Sequence, residues 1–152
     1  MNLSHRKAKK EDLAKLIELL SDDELGSKRE GCFKQNKESY EKAFKLIDQD
    51  SNQYLMAVFE DGELVGTCHA TLVPSITYMG KPRCAIEALR VFSNKRSRGI
   101  GHWIIREAIN WGRANNAKIF QLTADKKRAR VQKFYESLGF VHTHHGYKMF
   151  ME

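Results

Sequence analysis

Apolar residues recur along the chain with spacings that separate helices from strands. Two segments carry apolar residues three or four positions apart, as expected of helices that bury one face: Leu13, Leu16, Ile17 and Leu20, and then Tyr40, Phe44 and Ile47. Leu3–Lys7 is predicted as a strand before them, and the polar, glycine-bearing residues 21–36 as a loop with partial helix.

The clearest strand signal is a hairpin, in which Tyr54–Phe59 and Leu64–Leu72 flank the turn residues Asp61 and Gly62. The second half of the chain alternates between the two kinds of element. It predicts a strand over 84–91, a helix over 101–115, a strand over 118–123, a helix over 128–138 closed by Gly139 at C′, and one or two closing strands over 141–151.

This order predicts an α/β (α+β) fold with helices on the faces of a mixed sheet. With 152 residues, the chain fits one domain, residues 1–152. Its composition, 41% hydrophobic and 30% charged, is that of an ordinary globular protein. No apolar run approaches the roughly 20 residues of a membrane span, and the start of the chain lacks the apolar core of a signal peptide. We therefore expect no membrane association.

The three cysteines, Cys32, Cys68 and Cys84, are odd in number and form no C-x-x-C pair. This spacing argues against a disulfide framework and against a zinc site, so the expected compartment is a reducing cytoplasm. His142, His144 and His145 cluster near the end of the chain without a carboxylate or thiol at ligand spacing, so no metal is expected. The isolated His5 and His69 are interpreted as structural.

The net charge of +7 raises the question of a nucleic-acid partner. Aromatic residues do not alternate with basic ones as they do in single-strand binders, which disfavours nucleic acid. The excess charge instead gathers around two motifs and favours a polyanionic cofactor, although a solvated face explains the second cluster equally well. The clusters are Lys95, Arg96 and Arg98, and Lys126, Lys127, Arg128, Arg130 and Lys133.

A short basic loop, Arg96–Gly101, joins the predicted strand 84–91 to the following helix. Backbone N–H groups of such a loop, together with the unpaired N–H groups of the helix start, form an anion site. A dinucleotide fingerprint would need glycine where Ile104 stands, and a P-loop would need Gly-Lys-Ser/Thr, so both are excluded. The loop is a candidate phosphate grip of another kind.

The sequence of this loop, RSRGIG, resembles the R/Q-x-x-G-x-G/A pyrophosphate loop of the GNAT superfamily of acetyl-CoA-dependent N-acetyltransferases. Phe134–Phe140 is similar to the F-Y-E-x-x-G-F signature of that superfamily, and Leu25–Glu30 and Glu63–Thr67 match segments of one bacterial-type subgroup with an L-G-x-x-R-E loop. The resemblance implies a twisted, mostly antiparallel sheet with a splay between its two central strands. It also implies acetyl-CoA as the acyl donor and no metal.

The resemblance assigns cofactor contacts to three places, and Tyr135 is also assigned a chemical role. Arg128 and Val131 stand where many members have Asn and Ala, so the outer contacts to the cofactor are expected to differ. The implied cofactor-binding residues are Leu89, Arg90 and Val91 in the strand; Arg96, Ser97, Arg98, Gly99, Ile100, Gly101 and His102 at the loop; and Arg128 and Tyr135 on the last helix.

Two residues are the candidates for catalysis. Glu87 lies in an otherwise apolar strand with the parity of Leu89 and Val91, which predicts a core-like face unless a bulge intervenes. Burial there would raise its pKa and make it a base for the acceptor amine, and the alternative is a structural carboxylate. By resemblance, Tyr135 protonates the departing thiolate, and the alternative is a core aromatic residue.

The acceptor is weakly encoded. Asp22, Asp23 and Glu24 are candidates to attract an ammonium, and Arg29 to meet a carboxylate, while helix capping and surface charge explain the same residues. The leading hypothesis is transfer of an acetyl group to a primary amine, on a small molecule or a peptide, by direct attack in a ternary complex. The alternatives are a non-catalytic CoA- or RNA-binding module and an acetyltransferase of aminoacyl-tRNA. Family analogy favours a homodimer.

Overall fold

A computed structural model describes residues 1–128 and 130–151. Its strands are β1 Leu3–Lys7, β2 Gln53–Glu60, β3 Glu63–Val73, β4 Arg83–Val91 and β5 Ile119–Gln121. Its helices are α1 Leu13–Leu20, α2 Glu24–Arg29, α3 Lys37–Asp48, the single turn α4 Thr77–Gly80, α5 Ile100–Ala114 and α6 Val131–Ser137. The elements predicted from the sequence up to residue 138 are confirmed, with boundaries shifted by at most three residues.

The five strands form one sheet in the order β1-β2-β3-β4-β5. The first three pairings are antiparallel and β4–β5 is parallel, so the predicted mixed, mostly antiparallel sheet is confirmed. β5 pairs only with Arg83, Cys84 and Ala85. On this side, β4 has no strand partner from Ile86 to Val91 among the described residues, which is the splay that the family resemblance implied.

The β2–β3 hairpin has the turn that its sequence predicts. Asp61 and Gly62 have φ angles of 50° and 85°. Positive φ at both central residues is the type I′ requirement, and this turn follows the right-handed twist of the paired strands.

Buried side chains fill both faces of the sheet in the compact unit Met1–Gln121. On one face, Ile104, Ile105 and Ala108 of α5 are fully buried, and a Cβ on Gly66 would lie 2.8 Å from the Ile104 side chain. α5 therefore packs very closely on β3, where a side chain larger than hydrogen would clash. The N-terminal helices and the strands share a second cluster, namely Ala8, Leu13, Leu16, Leu19, Phe44, Ala57 and Leu64.

A bulge in β4 sets the direction of Glu87. His69 pairs with Glu87 and Thr67 with Arg90, so one residue of β3 faces two of β4 at this point, and Ala88 has a φ of 55°. The extra residue shifts the alternation of side chains. Glu87 is therefore exposed. The bulge that the prediction allowed for is present, so the core-like face expected from the parity of Glu87 with Leu89 and Val91 is not adopted.

Residues 122–152 form a second compact unit. α6 ends as predicted, with Gly139 at C′ and a φ of 93°. The Gly139 N–H donates to Glu136 O at 3.0 Å and the Phe140 N–H to Tyr135 O at 3.1 Å, which together form a Schellman motif.

The closing strands predicted over 141–151 are wrong, because this segment contains no strand. Alternating apolar residues permit a strand, but a strand also needs a neighbour for its backbone hydrogen bonds. The sheet ends at β5 among the described residues. The segment leaves several large apolar side chains exposed, namely Val141, Tyr147, Met149, Phe150 and Met151.

Candidate functional site

The loop before α5 presents a row of unpaired backbone N–H groups. The chain leaves β4 through a 3-10 turn, Ser93–Lys95, and the first helical bond runs from Trp103 N–H to Gly99 O at 3.1 Å. Among the described residues, the N–H groups of residues 97–101 have no hydrogen-bond acceptor. Five consecutive donors at the positive end of a 15-residue helix form a candidate site for an anion.

Gly99 shapes this row of donors. It caps α5 with a φ of 82°, in the left-handed region that glycine adopts without strain. Apart from its two chain neighbours, no residue has an atom within 4 Å of the position where a Cβ would stand. The space above the helix start is therefore open to a ligand.

Two basic side chains of the loop are held by a buried carboxylate at the end of β2. Arg98 binds Glu60 with both terminal nitrogens, at 2.6 and 3.0 Å, and Lys95 Nζ lies 3.0 Å from Glu60 Oε2. Only 6% of Glu60 is exposed. The hydrogen bonds from Arg98 and Lys95 lower the pKa of Glu60. These cations anchor the loop to the sheet.

Arg96 is anchored in the same way to the connection between α1 and α2. Its Nε donates to Val91 O at 2.9 Å, and its Nη2 lies 3.9 Å from Asp22 Oδ2. The same Asp22 oxygen accepts the Ser93 N–H at 2.6 Å. Asp22 was predicted to contact the acetyl acceptor, but its hydrogen bond instead fixes the end of β4.

The other residues predicted to meet the acceptor also have structural contacts. Asp23 caps α2 by accepting the Gly26 N–H at 2.6 Å, and Glu24 pairs with Lys28 at 3.3 Å on the surface. Arg29 is exposed in the last turn of α2. The structure does not bring these side chains together with Glu87.

β4 presents backbone groups next to the loop. Leu89, Arg90 and Val91 lie in the stretch that has no β5 partner, and Arg90 Nη1 donates to Leu89 O at 2.7 Å. A strand edge of this kind pairs with extended ligands through its N–H and C=O groups. His102 lies in the first turn of α5, half-buried.

Glu87 lines an open cleft between the end of α3 and strands β2, β3 and β4. The cleft has a volume of about 420 Å³. The Glu87 carboxylate makes no hydrogen bond or ion pair with another described residue. The residues lining the cleft are Leu46, Ile47, Asp50, Gln53, His69, Thr71 and Glu87.

A hydrogen-bonded chain crosses the floor of this cleft. Gln53 Nε2 donates to Asp50 Oδ2 at 3.2 Å, so its carbonyl oxygen faces the other way. That oxygen accepts the Thr71 hydroxyl at 2.9 Å and contacts His69 Nε2 at 2.6 Å. Because an amide oxygen only accepts, His69 carries its proton on Nε2 and keeps a lone pair on Nδ1. Burial lowers the pKa of His69, and the nearby Glu87 opposes that shift.

The polar floor of the cleft was not among the features predicted from the sequence. His69 was interpreted as structural, and neither Asp50 nor Gln53 was singled out. A signal was present, because His69 and Thr71 are polar residues two positions apart in a strand that is otherwise largely apolar. Such spacing places both on one face.

Tyr135 lies on α6 in the second compact unit. It is half-buried, with edge-to-face ring contacts to Phe134 at 5.0 Å and Phe140 at 5.9 Å. In the same unit, burial lowers the pKa of Arg128, and Tyr135 opposes that shift. The ring of Tyr135 is thus held by aromatic packing near a cationic side chain.

The histidine cluster near the end of the chain forms no metal-ligand group. The rings of His142 and His145 meet edge to face at 5.8 Å. Within the part of the chain that the structure describes, no three His, Cys, Asp or Glu side chains are placed to hold an ion. All three cysteines are free, and burial raises the pKa of Cys68 to about 12 and that of Cys84 to about 11.

Comparison with known proteins connects this arrangement to one family. The model of the Acetyltransferase (GNAT) family matches residues 13–140. A transcriptional regulator from Bacillus halodurans C-125 is 38% identical, with 99% of this chain and 100% of that chain covered and a TM-score of 0.94. For a putative acetyltransferase from Agrobacterium tumefaciens, the identity is 25%, the coverage 97% and 99%, and the TM-score 0.76.

A more distant structure shares the fold. This predicted acetyltransferase from Clostridium acetobutylicum was solved with acetyl-CoA; it is 16% identical, with 97% of this chain and 96% of that chain covered and a TM-score of 0.75. No curated protein matches the chain. Over residues 1–128 and 130–151, no helix has the length and apolar character of a membrane span.

Proposed function

The chain belongs to the acetyltransferase (GNAT) family, and from that premise we propose that it transfers the acetyl group of acetyl-CoA to a primary amine by direct attack in a ternary complex. The observation that carries the proposal is the row of five unpaired N–H groups at residues 97–101, which follows closely on the stretch of β4 that has no partner on its β5 side among the described residues. A pyrophosphate fits the first and an extended pantetheine chain fits the second.

The backbone does most of the cofactor binding in this proposal. The donors of residues 97–101 receive the pyrophosphate, and Arg96 and Arg98 assist by holding the loop in place. Leu89–Val91 pair with the pantetheine, and a backbone N–H near Leu89 polarises the thioester carbonyl. His102 and Arg128 are proposed outer contacts. When bound, acetyl-CoA supplies the acyl carbon that the amine attacks.

Two side chains handle the protons. Glu87, exposed and without an ion-pair partner among the described residues, takes a proton from the acceptor nitrogen directly or through water. The nitrogen–carbon bond forms as the carbon–sulfur bond breaks, and the Tyr135 hydroxyl delivers a proton to the sulfur. The reference pKa of a tyrosine, about 10, allows it to donate near neutral pH.

The proposed enzyme is a single acetyltransferase domain over residues 1–152, cytoplasmic and homodimeric, that acts on a small molecule or a peptide. The acceptor is proposed to enter at Glu87. Because their structural contacts hold them in place, the residues of α2 and just before it are proposed only as an outer border of the acceptor groove. These residues are Asp22, Asp23, Glu24 and Arg29.

A regulatory alternative has one observation in its favour, because the solved relative at 38% identity is described as a transcriptional regulator. A non-catalytic CoA- or RNA-binding module would use the +7 charge without turnover. An acetyltransferase of aminoacyl-tRNA would combine the two activities.

The test is an acetyl-CoA-dependent screen of amines, polyamines, amino acids, aminoglycosides, peptides and charged tRNA, read by mass spectrometry. We expect a product heavier by one acetyl group. Calorimetric titrations with acetyl-CoA and with a generic RNA run in parallel. Tight, salt-sensitive RNA binding without any heat from acetyl-CoA would favour the regulatory alternative and contradict acetyl transfer.

A further inference from the structure

We infer that Glu60 is a positioning residue: from inside the sheet it holds the N–H donors of residues 97–101 in the arrangement that receives a pyrophosphate. The inference rests on the proposed binding of acetyl-CoA. Glu60 is 6% exposed and carries a negative charge, so it does not contact the phosphates itself. It acts through the two side chains that its carboxylate binds.

Glu60 occupies a rigid point of the sheet. It is the last residue of β2, which lies between β1 and β3. Leu3 pairs with it on one side and Glu63 on the other. Because strands on both sides restrain this backbone position, the Glu60 carboxylate is a fixed point to which a neighbouring loop can be attached.

The loop itself lacks such backbone support. The N–H groups of residues 97–101 donate to no acceptor among the described residues. Ser97 has a φ of 60°, in the left-handed region that a residue other than glycine occupies at a cost in strain. Such a conformation persists only where surrounding contacts impose it. The arrangement of the donors therefore depends on side-chain contacts on either side of Ser97.

Lys95 and Arg98 supply these contacts, because they flank Ser97 and both bind Glu60. Arg98 Nη2 donates to Glu60 Oε1 at 2.6 Å. Glu60 Oε2 accepts from Arg98 Nη1 and from Lys95 Nζ, both at 3.0 Å. Hydrogen bonds between charged groups are stronger than those between neutral groups. Three of them thus tie both sides of the strained residue to one buried carboxylate.

Without this carboxylate, acetyl-CoA would have to order the loop as it binds. Ordering the backbone of one residue costs roughly 10-fold in an equilibrium constant, and that cost is subtracted from the affinity. The released cations of Lys95 and Arg98 could then approach the phosphates, but ion pairs in contact with solvent contribute little. The loss of order should therefore outweigh the gain in free charge.

The experiment replaces Glu60 with glutamine in the isotopically labelled full-length protein. Glu60→Gln keeps the size of the side chain and removes the charge that binds Lys95 and Arg98. The heteronuclear NOE of each backbone amide measures its order before any ligand is added. We expect lower values at residues 97–101 and a Kd for acetyl-CoA that rises by roughly 10-fold. The rise should exceed that in Arg98→Gln, which leaves Lys95 bound to Glu60.

Two controls separate positioning from a general loss of stability or charge. Asp12→Asn weakens a similarly buried pair, since Asp12 is 9% exposed and binds both terminal nitrogens of Arg6, at 2.7 and 3.1 Å. Glu63→Gln removes a negative charge near the loop, from a side chain that is 63% exposed and lies 3.7 Å from Lys95 Nζ. We expect wild-type loop order and wild-type affinity for acetyl-CoA in both controls.

Glu60→Asp is the second variant if Glu60→Gln fails to fold. It keeps the buried charge, but its side chain is one methylene shorter and cannot bind both cations with the native geometry, so we expect a smaller loss of the same kind. Unchanged order at residues 97–101, or unchanged or tighter binding of acetyl-CoA, would overturn the inference. An equal loss of affinity in Asp12→Asn would also overturn it.

The NOE measurement needs no ligand, so it separates this inference from the proposed function. If the wild type failed to bind acetyl-CoA while Glu60→Gln loosened residues 97–101, acetyl transfer would be contradicted and the hold of Glu60 on the donors supported. Equal binding of acetyl-CoA by the wild type and Glu60→Gln would leave acetyl transfer standing and overturn the positioning role.

Discussion

The loop at residues 95–101 and the cleft at Glu87 use charge in opposite ways. In the loop, Lys95 and Arg98 are bound to the buried Glu60. In the cleft, the carboxylates of Glu87 and Asp50 have no cation partner among the described residues. The basic side chains of Lys95 and Arg98 therefore hold the backbone in place. In the proposed function, the loop binds through its backbone N–H groups, whereas the cleft acts through the side chain of Glu87.

The largest effect is expected at Tyr135, which lies outside both regions and tests chemistry separately from binding. Tyr135→Phe removes the hydroxyl and keeps the ring contacts with Phe134 and Phe140. We expect kcat to fall by roughly 10²–10⁴-fold, the contribution of a positioned general acid, with little change in the Kd for acetyl-CoA. If Tyr135→Phe kept the wild-type kcat under conditions where the chemical step limits the rate, Tyr135 would have only a packing role.

A second prediction concerns the side chain of Glu87 in the cleft. Glu87→Gln keeps the shape of the side chain and removes the base, so kcat/KM should fall by roughly 10²-fold. Part of the loss should return as the pH rises, because more of the acceptor amine is then neutral without help. A pH–rate profile measures this recovery, and an unchanged profile in the variant would exclude the base role.

A third prediction concerns the backbone N–H groups of the loop before α5. In Gly99→Val, a β-branched residue must adopt a φ of 82°, at a strain of roughly 1–3 kcal/mol. The loop should move to relieve it, and the Kd for acetyl-CoA should rise by about 10–100-fold. Gly80→Val places the same strain at a φ of 74° in a turn outside both regions. If both variants kept wild-type affinity, the ligand would not approach the backbone at Gly99.

The smallest effect on binding is expected from the side-chain cations themselves. Arg98→Gln should change the Kd for acetyl-CoA by less than about 10-fold, because the guanidinium is already bound to Glu60 and the backbone N–H groups remain. A larger loss, with the loop resonances unmoved, would show that Arg98 contacts the phosphates directly.

The same ion pairs should appear in the acid stability of the protein. Hydrogen bonds from Arg98 and Lys95 lower the pKa of Glu60, so they stabilise the native state above the ordinary carboxyl pKa of about 4.3. That stabilisation is lost as the pH falls through the lowered value. Thermal melts from neutral to acid pH should show a smaller acid-induced drop in Tm for Glu60→Gln than for the wild type.

Features set by neighbouring residues could be predicted from the sequence, whereas features that depend on contacts between distant residues could not. The Asp61-Gly62 turn and the Gly139 cap follow from residues a few positions apart, and both were predicted correctly. The direction of the Glu87 side chain could not be predicted in the same way, because the bulge at Ala88 depends on pairing with β3. The segment 141–151 alternates like a strand, yet contains none.

The candidate site shows the same division. The loop before α5 was recognisable as an anion site because its glycines and the following helix are contiguous. The partner of Lys95 and Arg98 could not be recognised from the sequence, because Glu60 lies at the end of β2, more than thirty positions earlier in the chain. The sequence offered one sign of the polar floor, the spacing of His69 and Thr71, but the contact of His69 with Gln53 forms only because β2 and β3 pair as a hairpin.

The most direct test of the account is an NMR titration of the isotopically labelled protein with acetyl-CoA, read at each backbone amide. We expect the largest shifts on Ser97, Arg98, Gly99, Ile100 and Gly101. Smaller shifts are expected along Leu89–Val91. Binding that leaves the amides of residues 97–101 unmoved, or no binding at all, would contradict it.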